Sequence, residues 1–317
     1  MPVAGRLHPA VDGVSFDVAS GECLAIVGES GCGKTLLARA LVNLPPERAR
    51  VAGSVRLAGR NLLELSDADW RAVRGPEIGY VFQEPASAFD PVATVGTQIG
   101  EAVRLHRGMA RRAARKAARE LLSEVGFPDP DRGLDEYAHR LSGGLRQRAF
   151  LAMALAAGPK VLIADEPTTA LDATVAAQVM ELLQRLRRDR GLTLLLITHD
   201  LGLVARHADR ALVLYAGRVA EESVTAQLFR QPRHPYTQGL LASAPRVGAA
   251  GAAASGVRFP AIAGLVPDLP DRPPLACGFA PRCPKRFAPC DASVPPLFER
   301  EGSKVSCFLY AETDTCP

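Results

Sequence analysis

A glycine-rich stretch near the N-terminal end constrains this chain more than any other feature. Residues 28–35 read Gly-Glu-Ser-Gly-Cys-Gly-Lys-Thr and fit the pattern G-x-x-x-x-G-K-[ST]. In that pattern, backbone N–H groups surround phosphate oxygens, the lysine meets the outer phosphates and the hydroxyl meets Mg²⁺. An apolar run at residues 23–27 predicts a strand before the loop, and residues 36–41 predict a helix after it. We therefore expect phosphate at a helix N-terminus, and both flanking elements argue against a chance glycine-rich turn.

Length and composition favour one large core with a smaller module. The chain has 317 residues, of which 47% are hydrophobic and 23% charged, as in soluble globular proteins. The net charge of +4 is too small to indicate a nucleic-acid partner. No apolar run approaches the roughly 20 residues of a membrane-spanning helix, and the N-terminus lacks a signal-peptide layout. We expect a cytosolic protein that reaches any membrane through a partner.

The alternation of predicted strands and helices indicates an α/β fold with a parallel sheet. Strands are predicted at residues 14–18, 23–27, 53–59, 78–82, 160–164 and 192–197, with an amphipathic helix over Ala173–Arg190. Near-continuous apolar strands separated by such a helix are buried on both faces. Ligand-binding groups of these sheets cluster at the carboxyl ends of the strands. The residues found there are Gln83, Asp165, Glu166 and His199.

The region from residue 94 to about 158 has a mostly helical pattern. Within it, residues 109–125 place alanines and leucines on one side and a basic run on the other. The basic residues are Arg111, Arg112, Arg115, Lys116 and Arg119. A solvated helix face is the favoured interpretation, and contact with lipid or a partner is the alternative.

Two adjacent carboxylates follow the predicted strand at residues 160–164. Asp165 can hold Mg²⁺ through its water shell, and Glu166 can polarise an attacking water molecule. The alternative is an acidic turn at the end of a strand. We favour the catalytic interpretation because the ion at an upstream phosphate loop needs such a partner.

The segment at residues 141–148, Leu-Ser-Gly-Gly-Leu-Arg-Gln-Arg, identifies the class of nucleotide-binding protein most specifically. Alone it predicts a helix cap, because Ser142 precedes two glycines and a helical run. Its position about 20 residues before Asp165 resembles the signature motif of ABC ATPases. The resemblance implies that Ser142, Gly143 and Gly144 close over the γ-phosphate held by another subunit's phosphate loop.

Other residues resemble further elements of the same family. Gln83 resembles the glutamine that senses Mg²⁺ and links the sheet to the helical part. Residues 170–172, Ala-Leu-Asp, resemble the loop that passes between two subunits, and His199 resembles the histidine that contacts the γ-phosphate. A lone histidine at a strand end is otherwise usually structural. Leu145 departs from the family, which often has glutamine there, and so removes one side-chain donor.

The resemblance implies an α/β P-loop NTPase with an ABC-type nucleotide-binding domain. This domain is assigned to residues 1–230, with a helical subdomain at about 85–158 and a C-terminal extension at 231–317. Two such domains are expected to close face to face on two ATP molecules and to separate after hydrolysis, mainly through positioning and electrostatic stabilisation. ATP and Mg²⁺ are the implied cofactors.

The implied site residues fall into three groups. Catalysis is assigned to Glu166, His199 and Gln83, and Mg²⁺ is expected at Thr35, Gln83 and Asp165. The residues expected to contact ATP or its metal are Gly28, Glu29, Ser30, Gly31, Cys32, Gly33, Lys34, Thr35, Gln83, Asp165, Ser142, Gly143, Gly144 and Asp172.

The N-terminal end departs from the family. The family begins with a further strand whose aromatic residue stacks on adenine, whereas only thirteen residues precede Val14 and His8 is no obvious substitute. Such stacking is worth about 1–3 kcal/mol per base in other nucleotide contexts. Either the chain starts downstream of the natural start or it binds ATP weakly on its own. We expect a version extended at its N-terminus to bind ATP more tightly.

The character of the chain changes from about residue 231. Prolines become frequent, and residues 249–255 form a small-residue linker. Residues 231–245 resemble the start of the C-terminal extension of oligopeptide and dipeptide permease ATPases, a subfamily of ABC importers that includes nickel carriers. Without the family, residues 234–237 predict only a helix start.

Four cysteines of this extension have the spacing C-x5-C-x6-C-x16-C, at Cys277, Cys283, Cys290 and Cys307. In a reducing compartment such a cluster binds metal more readily than it forms disulfides. The spacing matches neither a ferredoxin run nor a zinc knuckle, but some members of the permease subfamily carry a [4Fe–4S] cluster on such cysteines. A [4Fe–4S] cluster that staples the module is the favoured interpretation, with Zn²⁺ or free cysteines as alternatives. Cys316 is expected not to be a ligand.

The favoured function is the ATP-hydrolysing subunit of an importer for di- or oligopeptides, on the cytoplasmic side of the cell membrane. The expected direct partners are two integral membrane permease subunits and a second ABC ATPase subunit, with which this chain is expected to form a heterodimer. An extracytoplasmic substrate-binding protein is expected as an indirect partner. Because those partners choose the solute, nickel or another small solute is an alternative.

Two further functions are disfavoured. A soluble ABC ATPase of DNA repair or ribosomes would carry two nucleotide domains, coiled-coil arms or a zinc module, and none is visible in this sequence. About 60 residues separate Gln83 from Ser142, as in the compact helical insert of a transporter. A metal-binding regulator with a degenerate ATPase is disfavoured because the residues needed for hydrolysis are present. They are Lys34, Thr35, Asp165, Glu166 and His199.

Overall fold

One mixed sheet organises the chain. The computed structural model describes residues 1–3, 6–84, 88–169, 171–243 and 262–311, and eight strands of this part of the chain form the sheet. In chain order the strands are β1 (Pro2–Val3), β2 (Arg6–Leu7), β3 (Cys23–Val27), β4 (Arg56–Leu57), β5 (Arg60–Asn61), β6 (Ile78–Val81), β7 (Val161–Asp165), β8 (Thr193–Thr198), β9 (Arg210–Tyr215), β10 (Arg218–Val224), β11 (Phe298–Arg300) and β12 (Ser303–Val305). The pairs β1–β2 and β4–β5 are separate small hairpins.

The strand order of the large sheet is β11-β12-β10-β9-β3-β8-β7-β6. The strands from β9 to β6 run parallel, whereas β10, β12 and β11 add an antiparallel end. Val27 lies opposite Thr198, and Asp165 lies opposite Ile197. The carboxyl ends of β3, β8 and β7 therefore meet at one edge, as predicted for a parallel sheet that binds ligands there.

Helices connect these strands and pack on the sheet. They are α1 (Lys34–Leu41), α2 (Asp67–Val73), α3 (Val95–Arg107), α4 (Arg111–Glu124), α5 (Pro130–Asp135), α6 (Gly143–Ala154), α7 (Ala173–Arg190), α8 (Leu201–His207), α9 (Thr225–Arg230), α10 (Pro235–Ser243) and α11 (Ala288–Ala292). Successive side chains of a strand point to opposite faces. Leu24 and Ile26 of β3 accordingly pack in one apolar cluster, and Ala25 and Val27 pack in another.

The helical part between β6 and β7 consists of α3 to α6, as the sequence predicts. Its core is formed by the apolar faces of α3 and α4, with Ile99 and Leu122 wholly buried. The basic face of α4 is exposed, where Arg115 pairs with Asp135 at 2.9 Å and Arg119 pairs with Asp131 at 2.7 Å. Exposure in the single chain is compatible with a solvated face, which stays a prediction.

Two strand predictions near the N-terminal end need correction. Residues 14–18 form no strand, although Val14, Phe16 and Val18 are half-buried against the core. The alternation thus indicated burial correctly, but no described strand pairs with this segment. The prediction at residues 53–59 was too long, because only Arg56–Leu57 pairs, with Arg60–Asn61 across a turn.

The C-terminal extension is joined to the sheet. Strand β12 pairs with β10, so that Glu222 lies opposite Lys304, and β11 pairs with β12. The sequence patterns did not predict these two strands. The predicted linker at residues 249–255, Ala170 and Cys316 lie outside the described residues.

Candidate functional site

The phosphate loop at residues 28–35 runs from the carboxyl end of β3 into α1. Gly28 has a φ of 156°, and a Cβ placed on it would lie 2.2 Å from the carbonyl oxygen of Leu214. Gly33 caps α1 with a φ of 107°. A residue with a side chain at Gly28 would clash with a core strand, so the course of the loop depends on glycine.

Lys34 is folded back on the loop that precedes it. Its ammonium group donates to the carbonyl oxygens of Gly28 at 2.8 Å and Glu29 at 3.0 Å. The residue is only 5% exposed, and an ammonium group buried to this degree needs such partners. The contacts hold the positive charge against the start of the loop.

Thr35 and Asp165 connect the phosphate loop with the end of β7. The Thr35 hydroxyl donates to Asp165 Oδ1 at 3.1 Å, and the Tyr80 hydroxyl donates to Asp165 Oδ2 at 2.9 Å. Burial raises the pKa of Asp165, and the two hydrogen bonds act in the opposite direction. The pair offers a hydroxyl and a carboxylate oxygen side by side, which are ligand types that suit Mg²⁺.

Glu166 is the centre of a second polar group. Its Oε2 accepts hydrogen bonds from Gln83 Nε2 at 3.3 Å and Thr169 Oγ1 at 2.8 Å, and it lies 3.4 Å from His199 Nδ1. Glu166 has a φ of 48°, a left-handed conformation that costs about 1 kcal/mol for a residue with a side chain. Backbone strain of this kind is concentrated at functional sites.

The segment that resembles the signature motif lies at the start of α6. Ser142 caps this helix by accepting from the Leu145 N–H at 3.4 Å, and it is exposed. Gly144 packs so closely on α7 that a Cβ would lie 2.6 Å from Val175 Cγ1. Asp172 caps α7 by accepting from the Val175 N–H at 2.9 Å. The signature segment and the residues around Asp172 therefore pack together.

The predicted site residues thus form two assemblies in this chain. One lies along the sheet edge and joins the phosphate loop, Gln83, Asp165, Glu166 and His199. The other comprises Ser142, Gly143, Gly144 and Asp172. Within the described residues, no hydrogen bond connects the second assembly with the first.

Several contacts of the first assembly were not predicted from the sequence. Tyr80 donates to the carboxylate of Asp165, and Thr169 donates to that of Glu166. Tyr80 lies three residues before Gln83 and Thr169 lies three residues after Glu166, so both are close in sequence to predicted site residues. Arg282, Arg272 and Tyr236 of the extension also contact the loop. Arg282 is 253 positions from its partner Glu29, and no local pattern indicates a contact of that range.

The four clustered cysteines approach one another. Cys277, Cys283, Cys290 and Cys307 line one small cavity, and burial raises the pKa of Cys307 to about 11. Burial also raises the pKa of Cys277 and Cys283. Across the ranges that the structure describes, no three His, Cys, Asp or Glu side chains are grouped so that they could hold a metal ion.

The fold and the edge assembly define a P-loop ATPase. Comparison with known families matches residues 11–169 to "ABC transporter" and residues 220–290 to "Oligopeptide/dipeptide transporter, C-terminal region". The chain belongs to the ABC transporter family as an ATP-binding cassette ATPase. ATP and Mg²⁺ are the substrate and metal that this class uses.

Curated relatives are similar over nearly their whole length. The dipeptide transport ATP-binding protein DppD of Bacillus subtilis (strain 168) is 48% identical over 308 residues, which cover 96% of this chain and 90% of the relative. The oligopeptide transport ATP-binding protein AppD of the same organism is 45% identical over 307 residues, with 96% and 92% covered.

Solved structures of ATP-binding cassettes have folds similar to that of this chain. A dimeric post-hydrolysis state of the ATP-binding cassette MJ0796 bound to ADP and Pi has a TM-score of 0.64 at 28% identity, over 71% of this chain and 94% of that one. The cbiO1 subunit of the transporter complex cbiONQ from Clostridium perfringens has a TM-score of 0.61 at 27% identity, over 70% and 84%. Among the described residues, no helix is long and apolar enough to cross a membrane.

Proposed function

We propose that this chain is the ATP-hydrolysing subunit of an ABC importer for di- or oligopeptides. The observation that carries the proposal is the presence, in one chain, of a cassette at residues 11–169 and a C-terminal region of the oligopeptide and dipeptide transporter type at residues 220–290. The names of the relatives, dipeptide and oligopeptide transport ATP-binding proteins, support the same solute class.

In this proposal, the phosphate loop and Lys34 hold the phosphates of ATP. The loop supplies backbone N–H groups and the N-terminus of α1, and Lys34 exchanges the carbonyl oxygens of Gly28 and Glu29 for phosphate oxygens. Thr35 and Asp165, with Gln83 nearby, are assigned to Mg²⁺. When bound, the ion neutralises charge on the β- and γ-phosphates. The 3.1 Å contact between Thr35 and Asp165 supports this assignment because it brings both oxygens to one place.

Glu166 is proposed to orient and polarise the attacking water. Its carboxylate is fixed by Thr169 and Gln83, and the strained backbone holds it at the end of β7. His199, whose side chain is 62% exposed, is free to contact the γ-phosphate. General base catalysis of this type typically contributes about 10²–10⁴-fold to the rate.

A second ATPase subunit is part of the proposal. Ser142 and Gly143 are exposed, and among the described residues no hydrogen bond joins them to this chain's own phosphate loop. This is expected if they complete the nucleotide site of a partner subunit. Asp172 lies beside them and is assigned to the same subunit interface. Two membrane permease subunits, with an extracytoplasmic binding protein beyond them, complete the importer, and a heterodimeric ATPase pair at the cytoplasmic side of the membrane remains our expectation.

The division into a cassette at residues 1–230 and an extension at 231–317 also remains a proposal. Within the extension, we assign Cys277, Cys283, Cys290 and Cys307 to a [4Fe–4S] cluster, with Zn²⁺ as the alternative. That the four cysteines line one cavity supports a shared ligand, which a cluster would bind through several iron atoms and Zn²⁺ through one atom at about 2.3 Å. That cavity has a volume of about 10 Å³, so binding requires the cysteine loops to move apart.

Transport by the assembled importer tests the proposal. The chain is co-expressed with its membrane subunits and partner ATPase and reconstituted in proteoliposomes, and uptake of a labelled dipeptide and a labelled pentapeptide is followed with the cognate binding protein present. ATP-dependent peptide uptake that Glu166→Gln abolishes is expected. Uptake of Ni²⁺ without peptide uptake would contradict the peptide assignment.

A further inference from the structure

The phosphate loop is held by side chains from the far end of the chain. Arg282 donates two hydrogen bonds to the carboxylate of Glu29, at 2.7 Å to Oε2 and 3.0 Å to Oε1. Glu29 is the second residue of the loop, next to Gly28. A paired fork of this kind fixes both the position and the orientation of a carboxylate.

Arg282 is itself fixed in place. Its guanidinium also donates to the carbonyl oxygens of Ala263 at 2.8 Å and Gly264 at 3.0 Å. The side chain is 5% exposed, whereas that of Glu29 is 29% exposed. The arginine is thus the buried partner of the pair, and the glutamate is the partner that faces solvent.

Two further residues of the extension support the same loop. The N–H of Glu29 donates to the hydroxyl of Tyr236 at 2.8 Å, and Arg272 donates to the carbonyl oxygen of Gly31 at 2.9 Å. Tyr236 is wholly buried and packs edge-on against Tyr215. The loop therefore contacts the extension through a charged side chain, one N–H and one carbonyl.

The charges in this arrangement affect nucleotide binding directly. A carboxylate within the phosphate loop repels a bound triphosphate unless a cation neutralises it, and the repulsion is strong where solvent is partly excluded. Arg282 supplies that cation and directs the carboxylate toward the extension. Arg272 adds a second positive charge at the same side of the loop.

We propose that Arg282 is a positioning residue for ATP binding, acting through Glu29. It neutralises the carboxylate and holds it away from the phosphates, so the C-terminal extension completes the nucleotide site. The inference rests on ATP binding by the cassette and is independent of which solute is transported.

Binding of Mg-ADP to the full chain tests the inference, because ADP carries the two phosphates that the loop cradles and is not consumed. We expect Arg282→Gln to weaken ADP binding about tenfold, since it removes a charge-assisted contact and leaves Glu29 unpaired. The deficit should shrink at 1 M salt, where charges are screened over about 3 Å. Glu29→Gln/Arg282→Gln should recover most of the affinity because the repelling carboxylate is gone.

Controls separate positioning from a purely structural role. Arg286→Gln is the matched control, because Arg286 lies in the same module but pairs with Asp291 at an exposed site. Arg282→Lys keeps the charge without the fork and should bind with intermediate affinity even if Arg282→Gln is poorly folded. All variants are purified anaerobically together, since Cys283 follows Arg282 directly, and their melting temperatures are measured without nucleotide.

Three results would overturn the inference. They are unchanged ADP affinity in Arg282→Gln, an equal loss in Arg286→Gln, and a double variant that binds no better than Arg282→Gln. A structural role alone predicts the last of these, because the double variant also lacks the ion pair that attaches the extension.

Discussion

The hydroxyl of Thr35 donates to Oδ1 of Asp165 across 3.1 Å, which joins the last residue of the phosphate loop to the last residue of β7. The two residues are 130 positions apart in the chain. They meet because β3 and β7 both pair with β8 and all three strands run in the same direction. The sheet thus brings a hydroxyl and a carboxylate to the point where the metal of a nucleotide complex is expected.

Removing the carboxylate of this pair should weaken only the metal-dependent part of nucleotide binding. We expect Asp165→Asn to lower the affinity for Mg-ATP about tenfold, since a contact with a charged group is worth roughly 1.5–3 kcal/mol. Equilibrium binding is measured with Mg²⁺ and again with EDTA. An equal loss in EDTA would indicate that Asp165 supports the loop and does not act through the ion.

Substitution of Glu166 should separate binding from hydrolysis. Glu166→Gln keeps the size of the side chain and can still accept from Thr169, but it cannot take a proton from water. We expect ATP hydrolysis by the assembled transporter to fall about 10²–10⁴-fold while ATP binding is retained. Glu181→Gln, on the exposed face of α7, is the control. Hydrolysis near the normal rate in Glu166→Gln would exclude this residue as the base.

Local patterns predicted the elements whose ends are set by neighbouring residues. The strand Cys23–Val27 was predicted with its observed bounds, because glycine and polar residues flank its apolar run. The helix Ala173–Arg190 was also predicted in full, since Asp172 caps its start and Gly191, with a φ of 63°, ends it. The edge positions of Asp165 and His199 followed from the parallel strands that precede them.

Other elements depended on partners distant in the chain. Strands β9 and β10 were not predicted. The apolar run that ends before Gly217, a residue with a φ of 85°, does indicate a hairpin at this position. Strands β11 and β12 are three residues each; β11 pairs only with β12, and β12 joins the sheet by pairing with β10. The contact between Arg282 and Glu29 is likewise invisible until the fold brings the extension to the loop. Residues 14–18 show the opposite error. Their alternation of apolar and polar residues predicted a strand, but no described strand pairs with them.

Metal content tests the assignment of the cysteine cluster. We expect the anaerobically purified chain to hold about four iron atoms and to absorb near 400 nm, and Cys283→Ser and Cys290→Ser to lose both. Cys316→Ser is the matched control, because that residue is not an expected ligand. One Zn²⁺ per chain without iron would favour the zinc alternative, and neither metal would leave these thiols as structural residues.

A buried carboxylate of β10, which accepts hydrogen bonds from the start of the extension, should give stability a distinctive pH dependence. Glu221 of β10 is wholly buried and accepts from the N–H groups of Arg233 at 2.9 Å and His234 at 2.8 Å. Burial raises the pKa of Glu221 above its ordinary 4.5, and those hydrogen bonds only partly offset the effect of burial. The folded chain therefore binds a proton more tightly at this site than the unfolded chain does.

The sign of the effect follows from that difference. The stability that Glu221 contributes is fully present below pH 4.5 and is lost as the pH rises through the raised pKa of the folded state. The total loss is about 1.4 kcal/mol for each pH unit by which the pKa of the folded chain exceeds that of the unfolded chain. The variant Glu221→Gln resembles the protonated form of the side chain and does not titrate. Relative to this variant, the unfolding free energy of the unmodified chain should fall as the pH rises from 4.5 and then level off. Urea unfolding across this range measures the difference, with Glu299→Gln at an exposed position of β11 correcting for the loss of one carboxylate. A difference that rises with pH would mean that hydrogen bonding to the carboxylate outweighs its burial.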